Sequence, residues 1–293
     1  MTGAFRPVDP AVMRRAAVEA ERTAFKSALD AALRTLAAAA LSAALSLGAW
    51  QAWRWATASP AFALNEIRFT GLLHAQESEL ILRSGLVVGE NLFRVDLPRA
   101  ARAMESQPWV ESALLTRRLP GTLLVNIEEH HPAALVQLGE KSIYVLDEEG
   151  RLFKHAAAED GLDLPIVTGL SQQTPRPELQ LRLLGALHLL DTWRGAGYAV
   201  SALAEVRLDD DGGFALVDTG DTKAGLRPGH HVPDEVPDQA QEIRLGSSQL
   251  PLKLRRLAQV RAALARRGER AARIDLDNPA RPDQAAATLA DKR

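Results

Sequence analysis

Nineteen consecutive residues without a charge, Thr35 to Trp53 between Arg34 and Arg54, constrain this chain more than any other feature. As a helix rising about 1.5 Å per residue, the run reaches ~28 Å, close to a hydrocarbon core of roughly 30 Å. It is rich in alanine (Ala37–Ala40, Ala43, Ala44), and Leu36, Leu41, Leu45 and Leu47 supply most of the apolar drive. At about −0.3 to −0.6 kcal/mol per central leucine, insertion is favourable by only ~2 kcal/mol, less than the roughly 2.5–3.5 kcal/mol cost of one central lysine. Ala43→Lys is therefore expected to abolish insertion; a variant that fractionates with membranes as the parent does contradicts this. Trp50, Trp53 and Trp55 crowd the C-terminal end of the run, as an interfacial aromatic belt does. A buried soluble helix rarely gathers large indoles so densely. Ala56-Thr57-Ala58 has the form of a leader-cleavage site, but the 34 residues before the run make a long n-region, so an uncleaved anchor is expected. Arg15, Arg22, Lys26 and Arg34 before the span outweigh Arg54 and Arg68 after it, which places the N-terminus in the cytoplasm. The expected order is a cytoplasmic tail over 1–34, a transmembrane helix over 35–55, and all later residues outside.

Composition narrows the rest. The 35 Lys+Arg against 37 Asp+Glu give a net charge of −2, so no overall basic field points to nucleic acid. With 46% apolar residues the chain supports packed cores. It contains no cysteine, which excludes a disulfide framework, a zinc-thiolate site, an iron–sulfur cluster and a thiol nucleophile.

After the Ser59-Pro60 break the pattern predicts strand, helix, helix, strand, strand. Leu64–Thr70 alternates around Ile67 and Phe69 and stops at Gly71. Gln76–Ser84 is a helix presenting Leu80 and Ile81, with Leu86 nearby, closed by Gly85. Asp96 caps a second helix with Pro98 in its first turn, carrying Ala101 and Met104 inward and ending at Pro108. Trp109–Arg118 and Thr122–Glu129 are strands joined at Leu119-Pro120-Gly121, with Leu123, Val125 and Ile127 on one face and Asn126 and Glu128 on the other.

The run Pro108-Trp109-Val110-Glu111-Ser112-Ala113-Leu114-Leu115-Thr116-Arg117-Arg118-Leu119-Pro120-Gly121-Thr122-Leu123-Leu124-Val125, then Glu129 and Pro132-Ala133-Ala134, resembles the signature of the FtsQ/DivIB cell-division proteins. Ile67-Arg68-Phe69-Thr70-Gly71 and Gly89-Glu90-Asn91-Leu92-Phe93-Arg94-Val95-Asp96 fit the same pattern. The resemblance implies an α+β fold: a single N-terminal transmembrane helix, a POTRA domain over 62–131, and a mixed-sheet β domain over 132–293.

In that second region, Ser142–Leu146 and Arg151–Lys154 flank the turn Asp147–Gly150, and Leu164–Gly169 follows. Glu178–Arg194 is an amphipathic helix with Leu179, Leu183, Leu187 and Leu190 on one face, opened by Pro177 and ended by Gly195. Glu205–Leu208 and Phe214–Val217 form a hairpin across Asp209–Gly213. Thr219–Gln241, rich in Gly, Pro and acidic residues, is expected to be a flexible insertion. Leu254, Leu257, Val260 and Leu264 stripe a helix ending at Gly268, then Arg273–Asp277 and Gln284–Leu289 are strands.

Candidate chemistry is sparse. Asp209-Asp210-Asp211-Gly212-Gly213 lacks the distal carboxylate of a calcium loop and fits a solvated turn. Adjacent strand residues point to opposite faces, so His130 and His131 do not share an ion; both they and His230-His231 are expected at the surface, and His188 on a polar flank. The cations Lys253, Arg255, Arg256, Arg261, Arg266 and Arg267 carry no interleaved aromatics and are expected as a charged outer face over a leucine stripe. No nucleophile elbow, phosphate loop or metalloprotease motif is present. No catalytic, cofactor-binding or metal-binding residue is assigned.

What remains is backbone chemistry at a sheet edge. Gln284-Ala285-Ala286-Ala287-Thr288-Leu289 has small side chains that let a further strand approach, and an ordinary closing edge strand fits it equally well. The resemblance favours the former. It implies that the last strands bind the membrane-anchored FtsB–FtsL pair by strand addition, with Asn278, Gln284, Ala285, Ala286, Ala287 and Thr288 at the contact and Ile274-Asp275-Leu276 in the penultimate strand. Asn278 stands where many relatives carry an aromatic, and Pro279–Asp283 is a longer link. The implied function is a non-enzymatic scaffold of the divisome in the cell inner membrane at the division septum, with the POTRA domain serving recruitment. The alternatives are a POTRA scaffold for protein export or outer-membrane assembly, and a membrane-anchored periplasmic hydrolase.

Overall fold

A computed structural model of the chain describes residues 10–139, 142–219, 240–278, 281 and 284–290. Its residues cluster into two compact units. Of the described residues, the first holds 10–68, 85–98 and 115–125, and the second holds 69–84, 99–114 and those from 126 onward.

The first unit is dominated by helix α1, Pro10–Ala58, whose 49 residues correspond to about 73 Å at ~1.5 Å per residue. The helix therefore runs on well past the uncharged span at its N-terminal side. Its portion Phe25–Ala58 is long and apolar enough to cross a membrane, and its apolar 18-residue stretch is not buried by the protein. Ser59 ends it and accepts the Ala61 N–H on its hydroxyl, opening a short 3-10 turn, Pro60–Phe62.

Strand β1, Glu66–Thr70, leads to α2, Glu77–Ser84, and α3, Leu97–Glu105, before β2, Val110–Arg118, and β3, Thr122–Glu129. The strands form a sheet in the order β1-β3-β2. This is the strand–helix–helix–strand–strand order expected from the alternation. Leu123, Val125 and Ile127 of β3 are buried while Asn126 and Glu128 are exposed. In α3 the buried pair is Ala100 and Met104, and Ala101 is only half-buried. An i, i+4 pair lies on one helix face, whereas the expected Ala101–Met104 pairing turns slightly off it. Gly71 has φ +85°, and a Cβ there would meet the Ile127 carbonyl oxygen at 2.0 Å, so the chain leaves β1 only through glycine.

The rest of the second unit is a nine-stranded mixed sheet. Its strands are β4 (Pro132–Leu138), β5 (Ser142–Asp147), β6 (Leu152–His155), β7 (Ile166–Leu170), β8 (Leu203–Leu208), β9 (Phe214–Asp218), β10 (Gln241–Arg244), β11 (Ala271–Asp275) and β12 (Ala286–Leu289). They lie in the order β12-β11-β10-β9-β8-β7-β4-β5-β6. Pairings β4–β7, β7–β8 and β10–β11 are parallel, and the others are antiparallel. Helices α4, Arg176–Gly195, and α5, Leu250–Arg267, contribute to the main core. Leu183, Leu187 and Leu190 of α4 and Leu254 and Leu257 of α5 sit there as their spacing predicted. Trp193 is fully buried among them and donates its indole N–H to the Ala199 carbonyl at 3.2 Å.

Two strands carried no readable signal. In β4, Ala134, Val136 and Leu138 join the main core, while Leu135 joins a smaller cluster with Val145 and Ile166. Cover on both sides removes alternation. In β10 only Ile243 is fully buried. The expected insertion 219–241 is narrower at both ends: Thr219 is buried and bonds Ala202 through its N–H and hydroxyl, and Gln241 begins β10. Residues 220–239, including His230 and His231, lie outside the described residues.

Candidate partner-binding edge

Strand β12 ends the nine-stranded order, and all its side chains are exposed. It pairs antiparallel with β11 through Asp275↔Ala286, Ile274↔Ala287 and Arg273↔Thr288, then a bulge, then Ala271↔Leu289. The Ala290 N–H donates to the Arg270 carbonyl at 2.9 Å, which points Ala290 inward. Along a strand the N–H and C=O groups alternate sides. Thr288 and Ala286 therefore also face β11, while Ala287 and Leu289 turn their N–H and C=O groups to the open side. Among the described residues no strand occupies that side.

The expected contact residues divide accordingly. Ala286, Ala287 and Thr288 lie in β12. Gln284 and Ala285 do not, because the Gln284 N–H is taken by the Arg281 carbonyl at 3.0 Å in a turn and Ala285 packs against the main core. Asn278 is exposed after β11, with its carbonyl and side-chain oxygen both accepting from the Arg281 N–H. The penultimate strand is Ala271–Asp275 in place of the expected Arg273–Asp277. Leu276 still donates to the Arg244 carbonyl at 2.9 Å, but the Asp277 N–H folds back onto the Asp275 carboxylate.

The exit from β11 is fastened by residues that were expected to do something else. Lys253 is buried, and its ammonium donates to the Leu245 carbonyl at 2.6 Å and to Asp277 Oδ1 at 2.8 Å. It belongs inside and not on the charged outer face. With Leu250, Leu254 and Leu257 it occupies i, i+3, i+4, i+7 spacing, a signal present in the sequence. Asp277 lies against Gly246, whose φ of +61° and Cβ position 2.2 Å from the Asp277 carboxyl carbon leave room for no side chain. Arg261 also leaves the outer face: it binds Asp218 at 2.5 Å and Gln241 at 2.6 Å, and its guanidinium lies 5.4 Å from the Tyr198 ring centroid. That ion pair lines an open cleft of about 270 Å³ bordered by Leu264, Glu269 and Ala271.

A second polar cluster was invisible in the sequence. Glu129, buried, accepts N–H groups of Leu73, His74 and Ala75, each at 2.9 Å, and holds His74 Nδ1 at 3.0 Å. Burial alone pushes the Glu129 carboxyl up, but the donors from Ala75, Leu73 and His74 outweigh it and hold the group below its ordinary value. His130 is partly buried, contrary to the surface expectation, because its Nδ1 bonds the buried Asp147 at 2.9 Å and its ring stacks on Phe153 at 4.5 Å. Arg151 ties Asp147 (2.8 Å) to Glu111 (2.6 Å), and Trp109 lies between His74 (4.0 Å) and Phe153 (5.4 Å). Among the described residues no group of three or more His, Asp or Glu side chains is arranged to hold a metal ion.

A βααββ layer, a mixed sheet whose last strand is open, and a long apolar N-terminal helix define a POTRA-type α+β protein. Residues 62–130 match a family model for the FtsQ-type POTRA domain, and residues 134–277 match one for the C-terminal region of cell division protein FtsQ/DivIB. The chain is 38% identical over 262 residues to cell division protein FtsQ of Anaeromyxobacter sp. (strain K), covering 88% of this chain and 81% of that one. It is 37% identical over 268 residues to the FtsQ protein of Myxococcus fulvus, covering 90% and 87%. A Geobacter sp. (strain M21) FtsQ protein is 29% identical over 254 residues, 85% of each chain. The chain belongs to the FtsQ/DivIB family of cell division proteins, divisome components that work through protein–protein contacts.

Proposed function

We propose that this protein is a non-enzymatic, single-pass inner-membrane scaffold of the divisome that binds the FtsB–FtsL pair by strand addition at β12. The observation that carries this reading is the open side of β12, where Ala287 and Leu289 turn outward N–H and C=O groups that no strand among the described residues pairs, beside small or exposed side chains. Backbone pairing supplies affinity there and asks little of side chains, which suits a strand made of Ala286, Ala287 and Thr288. Residues 1–34 form the cytoplasmic tail and 35–55 the span. Residues 62–131, the POTRA domain, recruit, and residues 132–293 bind the pair, helping to place septal peptidoglycan synthesis. The match over 134–277 favours division over export or outer-membrane assembly.

The test is a fluorescently tagged copy imaged while the native protein is depleted. Mid-cell bands on the tagged copy, with filamentation when neither copy is supplied, are expected. A uniform envelope signal with normal septation overturns the reading.

A further inference from the structure

The first unit contains an aromatic chain that links the end of α1 to a loop some forty residues downstream. Trp55 meets Phe62 edge-on with ring centroids 5.7 Å apart, Phe62 meets Phe93 at 5.1 Å, and Phe93 meets Trp53 at 6.1 Å. Trp53 and Trp55 remain 58% and 63% exposed, so the rings link without covering each other. Polar bonds fix the same loop in place. Asn91 Nδ2 donates to the Ala56 carbonyl at 2.9 Å and the Ser59 carbonyl at 3.0 Å, at the last turn of α1. The Leu92 N–H donates to the Phe62 carbonyl at 2.8 Å, and Arg117 donates to the carbonyls of Leu92 (2.8 Å) and Val95 (2.6 Å).

We propose that the Phe62 turn and the loop Asn91–Asp96 lie in the interfacial layer of the bilayer that α1 spans, with phospholipid as the partner of this face. The inference rests on the anchoring reading above and adds the depth of a segment outside the helix. A bilayer is about 30 Å thick in its core and about 40–45 Å with headgroups, so each interfacial layer is roughly 5–8 Å deep. Tryptophans flanking a span sit in that layer. A ring 6.1 Å from Trp53, on a loop tied to the Ala56 carbonyl, has little room to leave it. The nearby charges are mixed: Arg54 stacks over Trp50 at 4.8 Å, Arg117 is bonded to the loop's own carbonyls, Arg94 and Arg118 are exposed, and Glu90 and Asp96 offset part of that positive charge. The aromatic rings, continuous with the tryptophans of the span, carry the contact, and zwitterionic lipid suffices.

The absence of cysteine makes the test direct. Leu45→Cys, Arg94→Cys and the exposed reference Ser171→Cys are spin-labelled in the full chain, reconstituted in phosphatidylcholine vesicles, and read by power saturation against oxygen and a water-soluble nickel complex. The label at 94 is expected to be several-fold less accessible to nickel than the label at 171, and less deep than that at 45. Adding Phe93→Ser to the Arg94→Cys chain is expected to restore nickel access. Equal nickel access at 94 and 171 with 45 still in lipid overturns the inference and leaves the anchor standing. Water access at 45 overturns the anchor and the inference with it. No change at 94 on Phe93→Ser, with helical content preserved, overturns the aromatic clamp.

Discussion

Removing every residue after Asn278 is expected to abolish binding of the FtsB–FtsL pair while β1–β3 keep their fold, since β12 supplies the open edge and none of those strands. A proline at a single position separates edge from core. At Ala287 the N–H faces outward, so Ala287→Pro removes a donor that only an incoming strand uses, and a loss of at least about tenfold in affinity (about 1.4 kcal/mol) is expected with the melting temperature little changed. At Ala286 the N–H faces β11, so Ala286→Pro is expected to loosen the β11–β12 pair itself and lower stability as well. Titrating each purified full-length variant with the pair in detergent checks this. Full-strength binding by the truncated chain, or equal behaviour of the two prolines, contradicts strand addition on that side.

Replacing Glu129 with leucine is expected to cost about 3–5 kcal/mol at pH 7, because the buried N–H of Ala75 loses its acceptor at roughly 1–3 kcal/mol and the part-buried N–H groups of Leu73 and His74 lose theirs at about 1 kcal/mol each. The pH dependence follows from linkage. The folded carboxyl is held below its ordinary value of 4.5, so its stabilisation is fully present above that value. It is lost as pH falls through the lower folded value. Urea unfolding of parent and Glu129→Leu at pH 7 and near pH 3 is therefore expected to give a gap that narrows in acid. A gap independent of pH contradicts the role given to the carboxylate.

These particulars mark where the sequence was readable. Strand β3 alternates cleanly because one face is solvated, and α4 and α5 announce themselves by leucine spacing. Strand β4 is silent because side chains on both its faces are packed. Lys253 and Arg261 are hard to place from sequence because charge suggests exposure, whereas each is compensated inside by a specific acceptor. The Glu129 and Asp147 clusters are illegible for a different reason: their bonds span 54–56 and up to 40 residues, distances at which no periodicity speaks. The small side chains of Gln284–Leu289 fit a partner-binding edge and an ordinary closing strand equally well, and which of their backbone groups face outward is legible only from the Ala290–Arg270 bond.

The central claim is that β12 receives the partner strand, and in-cell photocrosslinking tests it most directly. A photoreactive residue placed at Ala287 of the full-length protein is expected to form a covalent adduct with an FtsB-type partner in dividing cells, while the same residue at the exposed His188 of α4 forms none. Adducts from position 188 and none from position 287 would contradict the account.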